Sequence, residues 1–344
     1  MQCNLRTLFT CPPRSETELF RKVKQCVSIF EPERLQNLKP APEEDIQALE
    51  QMIMERYGCS IPASYKLYLQ EMGQEDGGIL SKRMDYRLEE WNGFKRGNMA
   101  RGAKNHLMWE SFWQYLEEKS PGHPPFWMFF YAALAEMGYG FLLDGASSDE
   151  LVQTVGWHFG YCHDTFTKLL FYCAYSQLLR WVLEHGKPLK YQEDTFSSGC
   201  SCIHAITFLA DCPPEWAVIG HAPFAEFLQK LEADCKLEPC WFSMDKEFCL
   251  FDTNNQPTDT DNFFARYAAF HASSGLTFYI TYFGTATHGT GTQSIRVTLL
   301  SEDLRLTKQI IDAILQQAEI EENSLKFTGL DWEQVPKWLT FNSW

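Results

Sequence analysis

Apolar residues recur at helical spacing near the start of the chain. In SETELFRKVKQCVSIF, residues 15–30, Ser15 is followed three residues later by Glu18, a capping-box pattern that predicts the start of a helix. The next periodic segment, PEEDIQALEQMIMERYG at residues 42–58, ends at a glycine and predicts a second helix. Its predicted apolar stripe consists of Ile46, Leu49, Ile53 and Met54.

A shorter helix is predicted at residues 62–73, PASYKLYLQEMG. Pro62 suits its first turn, because the N–H that proline lacks would have no helical partner there. Four side chains are expected to pack this helix inward: Tyr65, Leu67, Tyr68 and Leu69.

Aromatic residues and glycines dominate the next part of the chain. They predict buried strands at residues 126–145, FWMFFYAALAEMGYGFLLDG, and at residues 150–160, ELVQTVGWHFG. Helical spacing returns on both sides of these strands, at residues 106–119 and at residues 164–186.

The second half of the chain begins with a polar, aperiodic segment at residues 187–201, KPLKYQEDTFSSGCS, which predicts a linker. The pattern then alternates between the two kinds of element. Strands are predicted at 204–210, 239–244, 247–252, 276–283 and 294–300, and helices at 223–235, 263–271 and 301–322.

These elements predict an α+β fold with two domains, because a chain of 344 residues exceeds one ordinary core. The predicted domains are residues 1–190, an N-terminal helix followed by a mixed helix and sheet domain, and residues 195–344, a smaller α+β domain. The longest apolar run stops at Glu136, short of the roughly 18 residues that a spanning helix needs. With no signal peptide visible, we expect a cytoplasmic protein that does not enter a membrane.

Charge is unevenly distributed along the chain. The net charge is −15, and residues 191–344 contain 21 acidic and 9 basic residues. Such an excess repels nucleic acid and anionic membranes and attracts a basic partner. Solubility is the alternative explanation of the same charge.

The residue order from 41 to 186 resembles the SUKH superfamily, named partly for yeast cell-wall regulators. The resemblance rests on a helix containing Glu50, the step IPASYKLYLQEMG, the strands FWMFF…GYGFLLD and TVGWH, and a closing helix from Phe166 to Leu183. Many bacterial members are immunity proteins that neutralise toxins delivered between competing cells. The resemblance implies an α+β fold that binds another protein and carries no catalytic residues.

The function predicted on this basis is an immunity protein that occludes the active site of a basic toxin, one that acts on nucleic acid for example. Two alternatives stay open. The chain could be an enzyme that reverses a toxin's modification, or a SUKH-like scaffold or signalling module without inhibitory activity.

Three segments invite a chemical interpretation, and each has a simpler one. The cysteines of CSCIH, residues 200–204, lack the second ligand pair that zinc needs, so we expect no metal. In HFGYCH, residues 158–163, Cys162 and His163 are adjacent and point in different directions in a helix or a strand, which argues against a nucleophile and base pair. GTATHGTGTQ, residues 284–293, lacks the phosphate-loop ending and predicts a hairpin loop. We expect no cofactor.

The acidic segment DTNNQPTDTDN, residues 252–262, is the first candidate for contact with a basic partner. It lacks the glycine and the final glutamate of a calcium-binding EF-hand loop, so a solvated acidic loop is expected. The predicted partner-binding residues are Asp252, Asp259 and Asp261 of this segment, His288 at the tip of the hairpin loop, and Trp344. Aromatic anchors are also considered at Trp91 and Trp157, since tryptophan is enriched at binding hot spots.

Overall fold

The computed structural model has mixed helix and sheet, as the hydrophobic pattern predicts. Among the described residues, no helix is both long enough and apolar enough to cross a bilayer. The structure describes residues 5–80, 126–132, 137–142, 149–155, 158–185, 204–211, 222–243, 249–251, 262–271, 276–285, 294–301, 304–320 and 326–327.

The elements follow one another along the chain with most bounds close to those predicted. The helices are α1 (Leu5–Thr10), α2 (Glu16–Phe30), a 3-10 helix (Pro32–Asn37), α3 (Glu43–Tyr57), α4 (Ala63–Met72), α5 (Phe166–His185), α6 (Ala222–Cys235) and α7 (Leu304–Gln317). The strands are β1 (Phe126–Ala132), β2 (Met137–Leu142), β3 (Glu150–Val155), β4 (His158–Thr165), β5 (His204–Asp211), β6 (Glu238–Pro239), β7 (Cys249–Phe251), β8 (Asn262–His271), β9 (Leu276–Thr285), β10 (Ser294–Ser301) and β11 (Lys326–Phe327).

The chain divides into two compact units that are interleaved in sequence. The meander unit comprises Pro13–Tyr175 and Phe248–Thr258. The six-stranded unit comprises Met1–Pro12, Ser176–Glu247 and Asp259–Trp344, so the division falls within α5. A single boundary between residues 190 and 195 stays a prediction, because those residues lie outside the described ranges.

The meander unit contains a five-stranded antiparallel sheet in the order β1-β2-β3-β4-β7. Its helices begin and end as their capping residues predict. Ser15 accepts a hydrogen bond from the backbone N–H of Glu18 (3.2 Å) at the start of α2. Gly58 ends α3 at φ 70°, a left-handed conformation that glycine adopts without strain.

The inner face of α3 is narrower than predicted. Ile46, Leu49 and Ile53 are buried, whereas Met54 is 50% exposed and is therefore not part of the stripe. The reason is helical geometry: consecutive residues are separated by roughly 100° around the axis, so the neighbour of Ile53 points well away from it. Met54 is the one large hydrophobic residue that is exposed among the described residues.

The six-stranded unit is an antiparallel sheet in the order β11-β5-β10-β9-β8-β6. Helices α6 and α7 share one hydrophobic core with alternate residues of β8 and β10. The strand residues in this core are Tyr267, Ala269, Ile295, Val297 and Leu299.

The predicted helix at residues 263–271 is wrong, because this segment forms most of β8 and pairs with β9 along its whole length. Tyr267 and Ala269 enter the core that contains α6 and α7, while Ala268 and Phe270 are also buried. A strand buried on both faces has a continuous apolar sequence, which does not show the alternation that identifies strands.

The predicted strand at 239–244 is also wrong over residues 240–243. Trp241 and Phe242 form a turn instead, and Ser243 contacts β8 through its side chain. Its hydroxyl donates to the carbonyl of Ala268 (2.9 Å) and accepts from the N–H of the same residue (3.0 Å). The Ser243 side chain thus bonds both backbone groups of Ala268, whose carbonyl also accepts from the backbone N–H of Cys240 (2.8 Å).

Helix α1, which the hydrophobic pattern did not predict, belongs to the six-stranded unit. The Phe9 ring lies 6.0 Å from the Phe270 ring and 6.4 Å from the Phe242 ring, and Phe9 is buried. The indole of Trp241 donates to the carbonyl of Leu8 (3.0 Å), and its backbone N–H donates to the carbonyl of Phe9 (3.1 Å).

Replacing Phe9 with alanine is expected to destabilise the six-stranded unit by about 3–5 kcal/mol, because it removes a buried ring and leaves a cavity. Chemical unfolding followed by circular dichroism measures the effect. Arg6→Ala is the matched control, since its ion pair with Glu238 (2.9 Å) is exposed and contributes little. Equal stability of the two variants would contradict a core role for Phe9.

Candidate binding surfaces of the meander unit

A polar cleft of about 380 Å³ opens on the meander unit. The starts of three helices, α2, α4 and α5, surround it. Its lining residues are Pro13, Arg14, Ser15, Glu16, Leu19, Ala63, Ser64, Asp149 and Thr167.

Asp149 connects two of these helix starts. One carboxylate oxygen, Oδ2, accepts from the hydroxyl (2.7 Å) and the backbone N–H (3.2 Å) of Thr167 and from the hydroxyl of Ser64 (3.4 Å). The backbone carbonyl of Asp149 accepts from the N–H of Phe166 (2.8 Å), the first residue of α5. A residue that is distant in sequence therefore caps this helix.

The cap of α5 is completed locally. The hydroxyl of Thr165 accepts from the N–H of Lys168 (3.2 Å), so the first three N–H groups of the helix all have acceptors. A negative side chain at this end is also favoured by the helix dipole. The Asp149 carboxylate accepts hydrogen bonds from Ser64 of α4 and from Thr167 of α5. Asp149 therefore joins the starts of these two helices.

Tyr65 and Phe166 are the sequence neighbours of Ser64 and Thr167. Their rings pack edge to face, with centroids 5.2 Å apart. Tyr68 lies 5.5 Å from Phe166, and Phe141 of β2 lies 5.1 Å from Tyr65. All four residues are buried. The segment PASYKLYLQEMG thus supplies two rings to the core.

The buried tyrosines of α4 differ in their polar environment. Burial raises the pKa of Tyr65. Burial also raises the pKa of Tyr68, and the neighbouring carboxylate of Asp76 raises it further. The Tyr68 hydroxyl donates to Asp76 (3.1 Å), which also accepts from the N–H groups of Gly78 and Leu80, at 2.8 Å each. Asp76 thereby fixes the turn that follows α4.

Ion pairs join the helices of this unit at the surface. Lys24 of α2 contacts Glu71 of α4 (2.6 Å), and Lys66 of α4 contacts both carboxylate oxygens of Glu50 of α3 (2.8 and 3.0 Å). The pair involving Glu50 gives a physical role to the internal glutamate of the predicted SUKH-like helix. Exposed pairs of this kind contribute at most about 1 kcal/mol each.

The predicted partner-binding residues Asp252, Asp259, Asp261, His288 and Trp344 lie outside the described residues, as do Trp91 and Trp157. Their roles stay predictions. Within the described ranges, no group of three or more histidine, cysteine or carboxylate side chains is placed to hold a metal.

Cys162 and His163, for which the sequence argues against a nucleophile and base pair, lie on β4. Residue Leu151 of β3 pairs with Asp164, and Val152 pairs with Tyr161, so the two candidate residues fall in a bulge between these partners. Asp149 was not selected from the sequence, because its contacts are with residues distant in sequence and no local motif indicates them.

Removing the Asp149 carboxylate is expected to lower the free energy of unfolding by about 0.5–2 kcal/mol in Asp149→Ala, the usual cost of a lost helix cap. Asp149→Asn is the matched control, since asparagine caps helices as well as aspartate does. Urea unfolding of both variants measures the difference. If alanine and asparagine cost the same, the carboxylate oxygen does not cap α5.

Alkaline pH is expected to destabilise the meander unit through Tyr68. Its pKa is raised in the folded state, so the unfolded chain loses this proton first, near the ordinary pKa of 10.0. The stabilising effect is therefore complete below that pH and falls above it, by about 1.4 kcal/mol per pH unit. Tyr68→Phe should show a shallower decline in unfolding free energy above pH 10.0. Parallel curves for the two proteins would contradict the prediction.

No family model matches this chain, and neither a curated protein nor a solved structure matches it significantly. The resemblance to the SUKH superfamily therefore rests on the quoted residues and stays a prediction.

Proposed function

We propose that this chain is an immunity protein that binds a basic protein toxin and neutralises it by covering the toxin's active site. The observation that carries the proposal is the element order of residues 43–185. Two short helices are followed by an antiparallel meander and a closing helix, in the order that the SUKH resemblance implies.

The charge of the chain supports the same proposal. A net charge of −15 raises the rate at which a basic partner approaches. Enzymes that act on nucleic acid carry positive charge where they bind phosphates, so an acidic protein competes for that surface. Inhibition then requires that the toxin's active-site surface is buried in the interface and matched in charge. Under this function, only the toxin catalyses a reaction.

Such inhibition requires an interface of ordinary size. About 1,600 Å² of total buried surface is typical of stable complexes, and a few residues provide most of the binding energy. Charge mainly increases the association rate, while apolar contacts at the centre of the interface slow dissociation.

An immunity gene is expected to follow the gene of its toxin, so coexpression with a toxin domain found directly upstream of this gene tests the proposal. The intact chain is expected to restore growth and to co-purify with the catalytically inactivated toxin as a stable complex. Failure to restore growth while the chain is folded and abundant would contradict the proposal. Protection without a stable complex, accompanied by loss of a toxin-made modification, would favour the enzymatic alternative.

A further inference from the structure

The meander unit takes one strand from a distant part of the chain. Residues Pro13–Tyr175 supply β1 to β4, and Phe248–Thr258 supply β7, which lies beside β4 at the edge of the sheet. On both sides of this segment the chain belongs to the six-stranded unit. Strand β7 is therefore a strap that covers the edge of β4 and continues at both ends into the other unit.

The attachment of β7 to β4 is short, because it consists of three residue pairs, whereas β4 forms six pairs with β3 on its other side. Opposite residues of an antiparallel pair alternate between hydrogen-bonded and non-hydrogen-bonded, so three pairs provide roughly two to four hydrogen bonds. The three pairs are Phe159 with Phe251, Gly160 with Leu250, and Tyr161 with Cys249.

The sequences of both strands limit this attachment. Gly160, at the central pair, has no side chain to contact Leu250 across the strands. The bulge of β4 begins directly after Tyr161, the last β4 residue that pairs with β7, and a bulge disrupts the ladder. At the other end of β7, Phe251 is followed by DTNNQP, residues 252–257, which consists mostly of residues that strands disfavour. The pairing is therefore limited at both ends of β7.

We propose that the edge of β4 is an acceptor site for an extended strand of another protein, and that β7 covers this site as an autoinhibitory strap. Strand β7 leaves β4 while the other four strands stay paired, because local opening occurs where a structure has few contacts. The open edge then binds the incoming strand through main-chain hydrogen bonds, as in other proteins that bind a peptide by adding a strand to a sheet. The inference does not depend on the function proposed above.

The sequence of β7 indicates the chemistry of the incoming strand. Its three paired residues, Cys249–Phe251, are apolar, and their register on β4 is the one that fits this edge. We therefore expect a short, extended, apolar segment as the occupant. Because β7 is part of the same chain, its local concentration is high, and it lowers the apparent affinity for any strand that must displace it.

Hydrogen exchange of the full-length chain measures the opening of β7. Peptides that contain residues 249–251 should have protection factors at least about tenfold lower than peptides that contain residues 150–155, because β3 is paired on both sides. Equal protection of the two strands would overturn the inference, since β7 would then open only together with the sheet.

A disulfide provides a closed reference state. Tyr161 lies directly opposite Cys249, so Tyr161→Cys places two thiols at a Cα separation that a disulfide accepts. Oxidation should hold β7 on β4, and reduction should release it. The matched control combines Tyr161→Cys with Cys249→Ser, which makes the same change on β4 but cannot form this bond.

A fluorescent peptide with the sequence of residues 246–254, in which serine replaces the cysteine, probes the acceptor site by anisotropy. It should bind the wild type and the reduced variant, and bind the oxidised variant at least about tenfold more weakly. Cys249→Pro combined with Leu250→Pro should bind it about tenfold more tightly than the wild type. Consecutive N–H groups of a strand point to opposite sides, so this change removes the one that faces β4.

Three outcomes would overturn the inference. Equal binding by the oxidised and reduced variants would mean that the peptide binds elsewhere. Loss of protection in β2 and β3 of the double-proline variant would mean that the sheet does not fold without β7. A wild-type dimer that the oxidised variant does not form would mean that the strand comes from a second copy of this chain and not from another protein.

Discussion

The packing of Tyr65 against Phe166 is the contact on which the meander unit depends. It joins α4 to α5, and the ring of Phe141 joins both helices to the sheet. An aromatic pair contributes about 0.5–1.5 kcal/mol beyond the apolar area that it buries, whereas a typical hydrogen bond contributes about 1 kcal/mol net. Full burial of a phenylalanine side chain adds about 1.5–3 kcal/mol to this, so each buried ring contributes more here than a single hydrogen bond. The hydrogen bonds of Asp149 to the adjacent Ser64 and Thr167 then fix the direction in which the two helices leave the core.

The sequence predicts those features of the fold that depend on neighbouring residues. Ser15, Gly58 and Pro62 act within one turn of themselves, and the helix bounds that they indicate agree with the structure. Features that depend on distant residues were missed. Asp149 caps a helix that begins 17 residues later, and β8 is a strand only because β9 lies beside it. The exposure of Met54 was also missed, because apolar character alone does not say which side of a helix a residue occupies. For partner binding, the sequence predicts the acidic segment at residues 252–262, which lies almost wholly outside the described ranges and stays a prediction.

Helix α3 is buried on one side and exposed on the other. Its inner residues Ile46, Leu49 and Ile53 are buried and hold the helix to the unit, while Glu43, Gln47 and Gln51 on its other side are exposed. Substitutions on the outer side therefore leave the core packing unchanged. Substitutions at such exposed positions usually change the free energy of unfolding by no more than about 0.5 kcal/mol.

The membership of α1 in the six-stranded unit has a consequence for biosynthesis. Leu8 and Trp241, which share a hydrogen bond, are 233 residues apart, so the helix leaves the ribosome long before its partners exist. At a synthesis rate of roughly 5–20 residues per second, the wait is on the order of 10–50 s. During that time the apolar side chains of Leu5, Leu8 and Phe9 have no native site to occupy. The nascent chain thus presents a short hydrophobic segment that chaperones can recognise, and the six-stranded unit folds only after most of the protein has been made.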